Sequence, residues 1–135
     1  MKLSTRSRYG TRMMVDLAQH SHEAPIQISD IARRQNVSVK YLEQLIIPLK
    51  KANFIKSVRG PKGGHMLAKS PEKISIGQIV KVLEGETNLT RCIENPGVCK
   101  RAKDCPTREV WGKATRAMYN ELDSVTLSEM VQRNK

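Results

Sequence analysis

At 135 residues the chain fits one domain of ordinary size, or a compact domain with an appended dimerisation element, and this excludes a large multi-domain enzyme. A composition that is 39% hydrophobic, 27% charged and only 4% aromatic suits a helix-rich protein better than a sandwich of aromatic and β-branched strands. The net charge of +11 is unevenly placed: residues 1–70 carry 13 Lys or Arg against 4 Asp or Glu, and residues 71–135 carry 11 against 9. The first half is therefore the one that should meet a polyanion, although charge alone would equally serve solubility or attract acidic lipid or RNA.

No apolar run reaches the roughly 18 residues that span a bilayer. The opening Met1-Lys2-Leu3-Ser4-Thr5-Arg6 also lacks the apolar stretch of a secretory signal. The expectation is a cytoplasmic chain with no membrane association.

From Ser7 to His20 the residues Tyr9, Met13, Leu17 and Ala18 recur at helical spacing, with Arg8, Arg12, Asp16 and Gln19 at the other positions. This predicts a first amphipathic helix. After Pro25, the stretch Ile28 to Gln35 reads as a short second helix, with a turn at Asn36-Val37. Ser38 is an apt N-cap for a third helix running to about Ala52, with Leu42, Leu45, Ile46 and Leu49 facing inward. Two helices joined by a tight turn make a helix-turn-helix.

The opposite face of that third helix carries Lys40, Glu43, Gln44, Ile47 and Lys51. Lys can donate to guanine, Gln can pair with adenine and Glu can accept from cytosine, which is the chemistry of major-groove readout. Any amphipathic helix has a solvated polar face, however, so this face decides nothing by itself. Pro48 removes one N–H and crowds the carbonyl of Gln44, which predicts a kink.

Phe54-Ile55-Lys56-Ser57-Val58 and His65-Met66-Leu67-Ala68 flank the turn Arg59-Gly60-Pro61-Lys62-Gly63-Gly64. The pattern predicts a β-hairpin with a basic tip. Directly after a recognition helix such a hairpin is a wing, where Arg59 and Lys62 would enter a minor groove or grip phosphates. A fourth helix should begin at Ser75-Ile76-Gly77-Gln78, a capping box, and end near Gly85. Beyond Pro106, Val110, Ala114, Met118 and Leu122 fall every four residues. Little chain remains to cover that stripe, so a partner chain is expected to pack on it. Thr126 and Glu129 form a capping box for a final short helix.

Three cysteines, Cys92, Cys99 and Cys105, lie between the fourth helix and the long one. An odd number of cysteines in a chain with no secretion signal argues for metal binding or redox chemistry over a disulfide framework. Their gaps of six and five residues match neither the zinc pair, with about two to four residues between ligands, nor the common ferredoxin runs. Soft thiolates suit zinc, copper(I) or an iron-sulfur cluster, and Lys100, Arg101, Lys103 and Arg108 would stabilise them. His20, His22 and His65 lie far off in sequence and read as surface or packing residues.

Tyr41-Leu42-Glu43-Gln44-Leu45, the wing Ser57-Val58-Arg59-Gly60-Pro61-Lys62-Gly63-Gly64, and three cysteines ahead of a Trp-bearing helix together resemble the iron-sulfur cluster regulator (IscR-like) family of winged-helix transcription regulators. The likeness runs over nearly the whole chain, and the Glu-Gln pair with Arg-Gly-Pro-x-Gly-Gly is its specific part. It implies a homodimeric repressor or activator that reads palindromic promoters in double-stranded DNA and carries a cluster on a loop beside the dimerisation helix. Position by position, the family's base-contacting residues match Lys40, Glu43 and Gln44, its minor-groove arginine matches Arg59, and its cluster cysteines match Cys92, Cys99 and Cys105.

Two positions depart from the pattern. Where the family's founding member has Cys-x-x-His, this chain has Cys105-Pro106-Thr107-Arg108, and arginine is no ordinary metal ligand. Where other relatives bring an N-terminal carboxylate from the partner subunit, Arg8 stands here. Three cysteines would hold a 4Fe-4S cluster with one iron open to water, a small thiol or a carboxylate. A 2Fe-2S cluster would need a fourth protein ligand, such as Glu94, Asp104, Glu109 or a histidine brought in by folding.

The expected fold is mainly α with a small β-hairpin wing: a winged helix-turn-helix over 1–86, a cysteine-bearing loop over 87–106, and a dimerisation helix with a short C-terminal helix over 107–135. The expected function is a non-enzymatic DNA-binding regulator that senses iron-sulfur cluster, iron or redox status. A metal-free or thiol-redox-sensing regulator of the same fold is the main alternative. A cluster-carrying redox protein would leave the cationic first half and the wing without a role.

Overall fold

The computed structural model describes residues 2–20, 24–85, 89–90, 93 and 95–133. Among them the order is α1 (Thr5–His20), α2 (Ile28–Gln35), α3 (Val39–Lys51), β1 (Ile55–Val58), β2 (Gly64–Leu67), α4 (Ile76–Glu84), α5 (Pro106–Asp123) and α6 (Leu127–Arg133). This is the mainly helical winged fold the pattern predicts. None of these helices is long and apolar enough to cross a membrane.

Helix α1 starts at Thr5, ahead of the expected Ser7, because its first-turn donors find acceptors. The Ser4 hydroxyl oxygen accepts from the Ser7 N–H at 3.2 Å. The Glu84 carboxylate, at the end of α4, accepts from the Ser4 N–H at 2.8 Å and the Ser7 hydroxyl at 2.6 Å. Met13, Met14 and Leu17 of α1 meet Ile31, Leu42, Leu45, Leu49 and Ile79 in one core. Fully burying an aliphatic side chain of this kind stabilises by about 1.5–3 kcal/mol.

Asp16, placed by the sequence pattern on the polar side of α1, is instead 1% exposed. It is held by α2, whose Arg34 donates from Nε at 2.9 Å and from Nη2 at 2.6 Å, while Gln35 donates from Nε2 at 2.9 Å. Burial by itself would raise the Asp16 pKa, but these hydrogen bonds and the charges of Arg34 and His20 outweigh it and hold the carboxyl below its ordinary value. Arg12, one turn earlier on α1, donates to the Gln35 side chain at 3.0 Å and to its backbone carbonyl at 3.1 Å. The end of α2 is thus fastened to α1 by polar bonds as well as by the core.

The turn between α2 and α3 depends on Asn36, in the left-handed region at φ 54, a conformation that asparagine tolerates better than most residues. Ser38 then caps α3, accepting from the Tyr41 N–H at 3.1 Å. Pro48 falls in the last turn of α3, where its missing N–H costs one bond, and the helix continues to Lys51. Strands β1 and β2 pair antiparallel from Ile55↔Leu67 to Val58↔Gly64. A Cβ at Gly63 would run into the Val58 carbonyl, and one at Gly64 into the Ile26 carbonyl, so both positions demand glycine. Ile26 and His65 exchange backbone hydrogen bonds at 2.8 Å in each direction, which ties the hairpin to the segment entering α2.

The Ser75–Gln78 capping box opens α4 as expected. At the other end of the chain, the Leu127 N–H donates to the Ile74 carbonyl at 2.9 Å, and Leu127 is fully buried in the common core. Helix α6 therefore packs back against α1 and the stretch before α4. Helix α5 lies between these returns and buries only Gly112 and Thr115 on its own account.

Candidate functional site

The inward residues of α3 decide what its other face can do. With Leu42, Leu45, Ile46 and Leu49 buried, helical geometry turns Lys40, Glu43, Gln44, Ile47, Lys50 and Lys51 to solvent, and all six are exposed. The hairpin stands beside this helix. Burial lowers the pKa of His65 on β2, the charge of Lys50 lowers it further, and Glu43 opposes the shift. His65 accordingly behaves as a packing histidine, its ring nitrogen Nδ1 lying 3.1 Å from the Ser57 hydroxyl.

Arg59 and Lys62 are exposed in the hairpin turn, and Lys56 is exposed on β1. The structure thus places Lys40, Glu43 and Gln44 on one exposed helix face, and Arg59 and Lys62 in the exposed turn of the hairpin whose β1 packs on that helix. It adds Lys50 and Lys56, which sequence reading did not single out. Lys56 had a usable signal, since it follows the inward Ile55 at strand alternation. The start of α3 has further support from ring packing: Tyr41 meets Tyr9 of α1 edge to face at 6.1 Å, and the Arg12 guanidinium sits 5.1 Å from the Tyr9 ring centroid.

The second cluster of interest is the cysteine loop. Cys92 lies outside the described residues. Cys99 is exposed and Cys105 half-buried, and both are free thiols. Cys105 is also the residue before α5, but its side chain makes no cap; its sulfur instead lies 3.1 Å from the Thr107 hydroxyl. That contact, then the backbone N–H of Arg108, hold the Cys105 thiol below its usual pKa, with Arg101 adding a smaller charge effect.

Arg108, at the position where the resemblance implies a fourth ligand, donates to the Ala102 carbonyl at 3.4 Å and the Ile93 carbonyl at 3.5 Å. Its role in the described structure is to fasten the loop to α5. A cavity of about 360 Å³ opens beside Cys105, with Lys103, Arg108 and Arg116 among its walls. Among the described residues no three His, Cys, Asp or Glu side chains gather as a metal site.

A family model described as an iron-dependent transcriptional regulator, Rrf2, matches residues 3–133. The chain belongs to the Rrf2 family. It is 48% identical over 132 residues to protein rrf2 of Nitratidesulfovibrio vulgaris, an alignment covering 98% of this chain and 88% of that one. Among solved structures it is similar to T. potens IscR, with a TM-score of 0.82 and 40% identity over 100% of this chain and 89% of the other. It is also similar to CymR (YrzC), the global cysteine regulator of B. subtilis, with a TM-score of 0.81 and 38% identity over 98% of both chains. The protein is therefore an IscR-like, winged-helix DNA-binding transcription regulator of the Rrf2 family and not an enzyme. Of these two structural relatives, CymR is the one whose name says what it regulates, cysteine.

Proposed function

We propose that this Rrf2 regulator binds promoter DNA as a homodimer, with α3 in the major groove and the hairpin tip at the flanking minor groove or phosphates. Lys40, Glu43 and Gln44 read base edges, while Arg59 and Lys62 hold the duplex beside them. The observation that carries this reading is an exposed polar face on α3 with the hairpin packed beside that helix, the turn of the hairpin holding two exposed cations. In this division of labour, residues 1–86 read DNA, 87–106 form the sensor loop and 107–135 supply the dimer contact. DNA affinity measured against salt tests the polyanion part: each phosphate neutralised should release about 0.9 counterion, giving a steep log–log slope, and a flat response overturns it.

The loop reading is that Cys92, Cys99 and Cys105 would hold an iron-sulfur cluster. The donor set fits: three cysteines fall within fourteen residues of sequence, Cys99 and Cys105 are free, and Lys100, Arg101 and Lys103 would offset a cluster's negative charge. With Arg108 bonded to loop carbonyls, a 4Fe-4S cluster with one iron open to a non-protein ligand fits better than a fully protein-ligated 2Fe-2S cluster. When bound, such a cluster supplies a response to iron or redox state.

A second reading, a metal-free thiol sensor, is favoured by the lowered Cys105 thiol and by the likeness to a regulator named for cysteine. Anaerobic purification separates the two. Near-equal iron and sulfide with a visible chromophore, lost on changing any one cysteine to Ala, supports the cluster. A colourless protein whose DNA affinity follows thiol oxidation supports the sensor without metal, and stoichiometric zinc without sulfide overturns both.

A further inference from the structure

Ile47 is the most exposed of the large hydrophobic side chains on the DNA-reading face, at 61%. Nothing among the described residues accounts for it. The core side of α3 is already filled by Leu42, Leu45, Ile46 and Leu49, so Ile47 adds no packing there. A β-branched side chain is also a poorer choice for a solvated helix position than Lys, Gln or Glu, which occupy the rest of this face. Its place on the face is specific: one turn after Glu43, three residues after Gln44 and four before Lys51.

We infer that Ile47 is a specificity residue that packs on the C5-methyl group of a thymine in the major groove. The inference rests on the proposed docking of α3 and adds to its polar contacts an apolar one. In the major groove guanine, adenine and cytosine present only hydrogen-bonding edges, whereas thymine also presents a methyl group. An aliphatic side chain pressed on a polar edge removes water and returns no hydrogen bond, so it disfavours those bases. Against thymine it buries two apolar groups. Ile47 is suited to such a contact because χ1 of a β-branched residue has few rotamers, and little freedom is lost on docking. One helical turn is about 5.4 Å and base pairs are spaced about 3.4 Å apart, so this thymine lies within about two steps of the base that Gln44 reads.

The test begins with the sites that the full-length chain selects from a random duplex pool. Each thymine is then replaced by deoxyuridine, which keeps every hydrogen-bonding atom and lacks only the methyl group. At one thymine per half-site the wild type should bind about fourfold more weakly for each methyl removed. Ile47→Ala, an exposed substitution that leaves the core intact, should bind thymine and uracil duplexes alike, while Gln44→Ala should retain the difference. Overturning results are that no thymine shows the effect in the wild type, or that Ile47→Ala shows it undiminished. If Gln44→Ala and Lys40→Ala leave the selected site unchanged, the α3 docking itself fails and the inference falls with it. If only the methyl effect is missing, the docking stands and the inference alone is lost.

Discussion

Helices α3 and α5 each bury one side and leave the other to water, yet what they leave there differs in kind. Outside α3 are Lys40, Glu43, Gln44, Lys50 and Lys51, with Ile47 the single strongly exposed aliphatic group on that face. Outside α5, Val110 is 55% exposed and Trp111 41%, with Ala114 and Ala117 following at helical spacing. A face of donors and cations is complementary to a hydrated polyanion, where polar groups exchange water for phosphate and base edges. A face of Val, Trp and Ala gains only from another apolar surface. The two helices thus point to different partners, DNA for α3 and, in our proposal, a second copy of the chain for α5.

The largest expected effect tests that assignment on α5. Val110→Glu places a charge where a partner would bury it, and because Val110 is exposed in the single chain the fold itself should survive. Sedimentation should show a monomer, and affinity for a two-half-site duplex should fall about a hundredfold, the scale on which linked binding sites reinforce each other. Unchanged circular dichroism would separate dissociation from unfolding. A wild type that is monomeric at micromolar concentration, or a variant that dimerises normally, would contradict the assignment.

Of similar size is the fastening of α2 to α1, just ahead of the turn into α3. Removing the carboxylate in Asp16→Ala leaves Arg34 and Gln35 without their acceptor, and breaking a buried ion pair costs about 3–5 kcal/mol. Arg34 is 29% exposed and can turn to water, so the lower end, about 3 kcal/mol, is expected by denaturant unfolding. Because the folded state lowers the Asp16 pKa, this stability is complete above the ordinary aspartate range, about 4. It disappears as pH falls through the lower folded value. The wild type should therefore lose its advantage over Asp16→Ala in acid, and a difference independent of pH would refute the ion-pair account.

On α3 itself, Gln44→Ala should cost about 1–3 kcal/mol at one base pair and relax preference there. Its unfolding free energy should stay within about 0.5 kcal/mol of wild type, as for other surface positions. Equal weakening on all sequences would move Gln44 from base readout to general affinity.

How far the sequence anticipates these features follows from the range of the forces involved. Ser38, the α3 stripe, the Ser75–Gln78 box and the hairpin turn are local: each depends on partners within a few residues, and the structure reproduces them. Asp16 was misplaced because its acceptor role is fixed by Arg34 and Gln35 across 18 and 19 positions, which no periodicity encodes. One clue was available. An acid within the otherwise apolar run Met13-Met14-Val15-Asp16-Leu17 is expensive to bury unless a cation meets it. The Glu84 bonds to Ser4 and Ser7 and the return of Leu127 to Ile74 are also long-range, and neither has a local signal. Exposure on α5 was legible only in part: of the four-residue stripe Val110 and Ala114 are exposed, whereas Met118 and Leu122 are half-buried in the single chain.

The smallest expected effect contrasts how the two helices begin, and it determines whether the cysteine variants can be interpreted. Helix α3 is capped by a side chain: the Ser38 oxygen takes the Tyr41 N–H, one of the donors that a helix start leaves without a partner. Ser38→Ala should therefore lower stability by about 1 kcal/mol. Helix α5 begins with Cys105, whose sulfur feels the nearby Arg108 backbone N–H but makes no full capping hydrogen bond, and Pro106 in the first turn has no N–H to satisfy. In metal-free protein, Cys105→Ala should then stay within about 0.5 kcal/mol of wild type, because it removes a thiol that helix formation does not use. Chemical unfolding of both variants beside wild type measures the contrast. If Cys105→Ala proves as costly as Ser38→Ala, the thiol has a structural role, and loss of a chromophore in that variant would no longer distinguish a missing ligand from a loosened helix start.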